Sequence, residues 1–198
     1  MTDPMAEATR SLASPPADTT LPDVRDWLLA HRPALSRRWR QQLLARQQDL
    51  GDDVRDLLFE FVDLLVDLLA DALGPQRELT SPVYRQAGEL YGQFAAIRGL
   101  AAGEAVEEVQ LLREALIREL FSQPPVLSGA DLSLREVLRM NRFLDSVVTH
   151  TSVGHTDALF FALFRGSGVP DRPTEGLIAE VREQLDALRQ ELAEVRRD

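Results

Sequence analysis

The sequence predicts an all-α fold, and three observations predict it. Apolar residues recur every three or four positions in one stretch after another, as in "LLFEFVDLLVDLLADAL" and "EAVEEVQLLREALIREL". No segment of useful length alternates apolar and polar residues with the period of two that a half-exposed strand requires. Clusters such as "GP", "PP" and "RGSGVPDRP" punctuate the periodic stretches.

The elements follow in order. Residues 1–20, rich in Ala, Ser, Thr, Pro and acid, predict a disordered leader; they lack the basic start and apolar run of a targeting segment. The helical domain is expected over 21–165, as a bundle of five to six helices. Pro22 and Pro33 are residues tolerated in a first turn, so each is expected to open a helix, one to Ala30 and one to Gln48. Gly51 ends the second, and Asp52 and Asp53 favour the start of the next, to Leu73. That helix is apolar except for Asp56, Glu60, Asp63, Asp67 and Asp71, whose spacing predicts one solvated stripe on a core helix. Carboxylates at that density exclude a lipid-facing span.

Ser81 before Pro82 reads as a cap and a first-turn proline, opening a helix that runs to Arg98. After the turn "RGLAAGE", a helix from Gly103 to Phe121 buries Val106, Val109, Leu112, Leu116 and Leu120. Asp131 or Ser133 caps a long helix to Phe164, softened at Gly154, and 166–173 form a Gly/Pro linker. Trp39, Phe59, Phe61, Phe94 and Leu112 are the expected core.

The last segment, 174–198, carries Ile178, Val181, Leu185, Leu188, Leu192 and Val195 at alternating gaps of three and four. These are the a and d positions of a heptad seam, which predicts a coiled-coil helix and a parallel homodimer. In that dimer Glu191 at g faces the partner's residue 196, an Arg at e; such exposed pairs contribute about 0.2–1 kcal/mol each, so the seam would dominate.

Composition narrows the function classes. The 198 residues contain no Cys, which excludes disulfides, thiolate metal sites and a cysteine nucleophile and fits a cytoplasmic setting. The net charge is −10, and nucleic acid or an anionic membrane surface each need a positive footprint, so neither is expected as a partner. All 22 basic residues are Arg, so lysine Schiff-base chemistry is out. No phosphate-binding loop, dinucleotide fingerprint or His-Glu-x-x-His helix occurs, and no cofactor is expected. His150 and His155 stand about 140° apart on a helix, which does not suit a shared metal. Glu107 and Glu108, like Asp52 and Asp53, are helix neighbours and read as solvated charge. Arg98, Arg113, Asn141 and Asp145 are the candidate site: a polar tie between helices, or the lining of a ligand pocket.

"YGQFAAIRGLAAGEAVEEVQLLREALIREL", with its Arg98-Gly99 helix end and its "LLREAL" helix, resembles the centre of the RsbRD-type N-terminal domain. "NRFLDSVV", carrying Asn141 and Asp145, and "ALSRRWRQQLLAR", carrying Trp39, are similar to other parts of that family, and the resemblance spans Leu21 to Arg165. It implies a globin-like fold, without haem, that dimerises and senses an input in stressosome proteins and some histidine kinases. It also implies a helix leading to an output module, and Ile178 to Val195 are similar to that linker helix. The competing expectation is a haem- or small-ligand-binding globin sensor. Such a sensor needs a proximal His, and none occurs between Arg32 and Thr149.

Overall fold

The computed structural model describes residues 22–47, 50–124, 134–164 and 173–197. It contains six α-helices and, among the described residues, no strand: α1 (Pro22–Arg46), α2 (Asp52–Ala72), α3 (Arg77–Ile97), α4 (Ala102–Ser122), α5 (Leu134–Phe164) and α6 (Glu175–Val195). The expected leader over 1–20, the linker over 166–172 and the cap at Asp131 or Ser133 lie outside the described residues.

Three expectations about helix ends are corrected. Pro33 does not open a helix; it lies inside α1, which replaces the two short helices expected there. Val24, Leu28, Leu35, Trp39 and Leu43 form one buried stripe that stays in phase across the proline. Pro33 is exposed, about 200° around the helix from Leu35, so its lost N–H falls on the solvent side while packing holds both halves together. Ser81 is not a cap, because α3 begins at Arg77; its hydroxyl donates back to the Arg77 carbonyl at 2.6 Å, and Pro82 lies inside the helix. Gly154 does not soften α5, which runs unbroken past it.

Gly154 has a packing role instead. A Cβ there would collide with the Glu89 backbone, and a Cβ at Gly92 would collide with the Thr151 carbonyl. These two glycines let α3 and α5 pack backbone against backbone, with α5 running alongside α3 from Tyr84–Phe143 to Gly92–Thr151. At Gly99 φ is +79°, and the α3 end closes with Gly99 N–H to Ala96 O at 2.9 Å and Leu100 N–H to Ala95 O at 3.1 Å. Arg98, the residue that caps α3 just before this turn, reaches across to Glu108 of α4.

α2 is the core helix, as expected: Leu57, Leu58, Phe61, Leu65, Leu68 and Leu69 are all fully buried. Trp39, Phe61, Phe94 and Leu112 are core as well. Phe59 is only half-buried and lies under the Arg40 guanidinium, 4.8 Å from its ring centroid. α6 packs on α3 and α2 of its own chain.

Candidate functional site

The seam of α6 is occupied within the molecule. Val181, Leu185, Leu188 and Leu192 are buried among the core residues, with Ile178 packed beside them. Four of the six seam positions are thus covered by the chain itself in this conformation, while Val195 is only half-buried.

The acidic stripe of α2 explains the register. It is not solvated, as its spacing suggested; arginines from both flanking helices neutralise it. α1 runs antiparallel to α2 and supplies Arg25 to Asp71 at 3.0 Å, Arg32 to Asp67 at 2.7 Å and Arg40 to Asp63. α6 runs parallel to α2 and supplies Arg182 and Arg189 to Glu60 at 2.9 and 2.6 Å, and Arg196 to Asp71 at 2.6 Å. Arg182, Arg189 and Arg196 are the e positions of the three heptads. Residue 196 was expected to face Glu191 of a second helix; it and the other two bind the acids of α2 instead. Only Asp56 of the stripe stays exposed.

Magnitudes divide the labour. Part-exposed ion pairs of this kind contribute about 0.2–1 kcal/mol each, whereas burying one Leu or Val side chain contributes about 1.5–3 kcal/mol. The seam therefore supplies most of the docking energy, and the arginines fix where along α2 the helix sits. Asp67 shows the cost of the arrangement. Burial pushes its carboxyl above its ordinary value, and Arg32 and Arg196 only partly offset that, while Asp71 and Asp63 add to it.

The four candidate residues separate into two ties and one bystander. Arg98 is buried and forms a two-pronged pair with Glu108, at 3.1 Å from Nη1 and 2.5 Å from Nη2, and donates to Gln47 Oε1 at 3.0 Å. Tyr91 donates its hydroxyl to the same carboxylate at 2.6 Å, and Trp39 donates its indole N–H to the Glu108 carbonyl at 2.8 Å. Glu108 is thus a buried junction of α1, α3 and α4; the expectation that it is solvated is wrong. Its neighbour Glu107 is exposed and pairs with Arg46 at 2.7 Å. Burial alone would lower the Arg98 pKa, but Glu108 and Tyr91 outweigh it and hold the guanidinium charged. Desolvation, with Glu108 beside it, pushes the Tyr91 hydroxyl well above its ordinary value.

Arg113 and Asp145 do meet, in a part-exposed ion pair between α4 and α5. Asn141 does not join them; its side chain donates to the Val137 carbonyl of its own helix at 3.1 Å. The structure does not bring the four together into one pocket.

The histidines serve the fold. His31 stacks on Trp27 at 4.4 Å and contacts the Trp27 carbonyl at 2.8 Å. His150 contacts Glu89 at 2.7 Å, and the buried His155 contacts the Leu100 carbonyl at 2.7 Å, tying α5 to the glycine turn. Among the described residues no group of three His, Cys, Asp or Glu is placed to hold a metal ion, and no helix is long and apolar enough to cross a membrane. No protein-family model, curated protein or solved structure matches the chain.

Proposed function

We propose that this chain is a non-catalytic regulatory or sensory domain whose output is the C-terminal helix α6. The observation that supports it is that the heptad stripe of α6 is occupied by its own chain. Its seam and its e-position arginines are satisfied on α2 and α3, yet the same heptads suit a helix partner. Docked, α6 is withheld. Released, it offers the seam to a second copy of itself or to a helix of a downstream signalling protein. The resemblance to the RsbRD-type N-terminal domain, with its globin-like fold and its place in bacterial stress and two-component signalling, supports the same reading.

Light scattering on the triple variant Arg182→Gln, Arg189→Gln, Arg196→Gln tests it. These changes remove the clasp and leave the seam intact. The reading expects the variant to dimerise at tens of micromolar more readily than the wild type. A variant that stays monomeric with α6 still docked, or ATP hydrolysis or autophosphorylation by the purified chain, counts against it.

A further inference from the structure

A groove of about 530 Å³ opens between α1 and α2 beside Pro33. Its size lies in the range of small-molecule sites. Three guanidinium groups line it, from Arg32, Arg37 and Arg40, against one carboxylate, Asp63. Arg32 and Arg40 are each paired with a carboxylate, so the uncompensated positive charge at the groove is that of Arg37.

Two buried polar atoms in the lining lack a hydrogen-bond partner: Ser36 Oγ and Arg40 Nε. Ser36 is 4% exposed. Arg40 spends its Nη2 on the Phe59 carbonyl and Asp63, and Arg32 spends its Nε on Asp67, so each guanidinium keeps donor edges unused. Arg37 is exposed and forms no ion pair among the described residues. Buried polar groups in folded proteins are nearly always hydrogen-bonded, so each exception needs an account: strain, an ordered water, an ion or a ligand. Here the orphans are a hydroxyl and a guanidinium N–H beside two further arginines, a donor set suited to an oxyanion. The remaining walls are apolar, from Leu44 and the ring of Phe59.

We infer that this groove binds an oxyanion, a phosphate or carboxylate, that carries an apolar group. Arg37 provides the free charge, the unused guanidinium edges of Arg32 and Arg40 further donors, and Phe59 the surface for the apolar part. Arg32 also holds Asp67, whose other oxygen lies 3.9 Å from Arg196 of α6. One carboxylate therefore separates the groove from the clasp, and that consequence rests on the relay reading above.

Titration calorimetry at constant ionic strength tests the site, with phenyl phosphate and inorganic phosphate as probes. The wild type should bind phenyl phosphate saturably and more tightly than inorganic phosphate. Arg37→Gln, a change at an exposed position that leaves the fold intact, should weaken binding about tenfold or more, the scale of one charge-assisted hydrogen bond. Arg118→Gln, on α4 away from the groove, should bind as the wild type does. No saturable binding, or equal weakening in both variants, overturns the inference. Hydrogen exchange of α6 with phenyl phosphate present scores the relay separately: binding without a change in α6 exchange counts against the relay and leaves the site standing.

Discussion

Arg196 Nε donates to Asp71 Oδ2 at 2.6 Å, fastening the end of α6 to the end of α2. Asp71 is 1% exposed and also accepts from Arg25 of α1, so one carboxylate joins three helices. Asp71→Asn should destabilise the protein by about 1.5–3 kcal/mol in urea unfolding, the scale of hydrogen bonds to a charged group.

Asp67→Asn should behave differently. The folded-state pKa of Asp67 is raised, so the folded protein holds its proton more tightly than the unfolded chain. That contribution to stability is full below the ordinary carboxylate value and is lost as pH rises through the raised one. At neutral pH the ionised carboxylate is therefore a liability, and its amide should be neutral or slightly stabilising. Urea midpoints of the two variants at pH 7 should move in different directions, or one should not move; equal losses would contradict the assignment.

Removing one partner of the buried Arg98–Glu108 pair leaves an uncompensated charge among Tyr91, Phe94 and Trp39. Arg98→Ala should cost about 3–5 kcal/mol. The double change with Glu108→Gln should cost much less than the sum of the two single changes, because the second removes the stranded charge. Chemical denaturation of the four proteins in the cycle gives the coupling directly.

The glycines give a paired prediction. Ala is favoured over Gly inside a helix by about 1 kcal/mol, so Gly→Ala is stabilising wherever space allows. Gly176 of α6 has nothing within 4 Å of an added Cβ, and Gly176→Ala should raise the melting temperature slightly. At Gly92 the added methyl meets the α5 backbone, and overpacking of about 1–3 kcal/mol or more reverses the sign.

The chain has only two tyrosines, Tyr84 and Tyr91, and both are fully buried with hydroxyls raised above their ordinary value by desolvation. Unfolded tyrosines release protons from about pH 10 while the folded ones do not, so stability falls as pH rises past that point. Phenolate absorbance should stay absent until the helical circular dichroism is lost, and the two transitions should coincide. Phenolate formation in the folded protein would contradict the burial of both rings.

Periodicity located the helices well, because it records which face is buried. It failed where a residue has two common uses. Pro33 and Pro82 suit a first turn but also an exposed face of a helix held by packing; the stripe from Val24 to Leu43, unbroken across Pro33, was the available sign. The acids of α2 looked solvated because their arginine partners are far away in sequence. The matching periods were nonetheless present: Arg25, Arg32 and Arg40 in α1, and Arg182, Arg189 and Arg196 in α6. Glu108 was missed for a plainer reason, since nothing in "EAVEEVQ" distinguishes a buried glutamate from its exposed neighbour. The heptad in α6 was legible, but a heptad states only that a helix has a partner stripe, not which chain provides it.

Native-state hydrogen exchange along α6 tests the central claim most directly, that α6 is docked on its own domain as a separately releasable helix. The account predicts that α6 amides exchange through an opening of lower free energy than those of α2 and α3. It also predicts that Arg182→Gln, Arg189→Gln, Arg196→Gln speeds exchange in α6 and leaves the core protected. If α6 exchanges only with global unfolding, in the wild type and in the variant alike, the helix is a fixed part of the core and the claim fails.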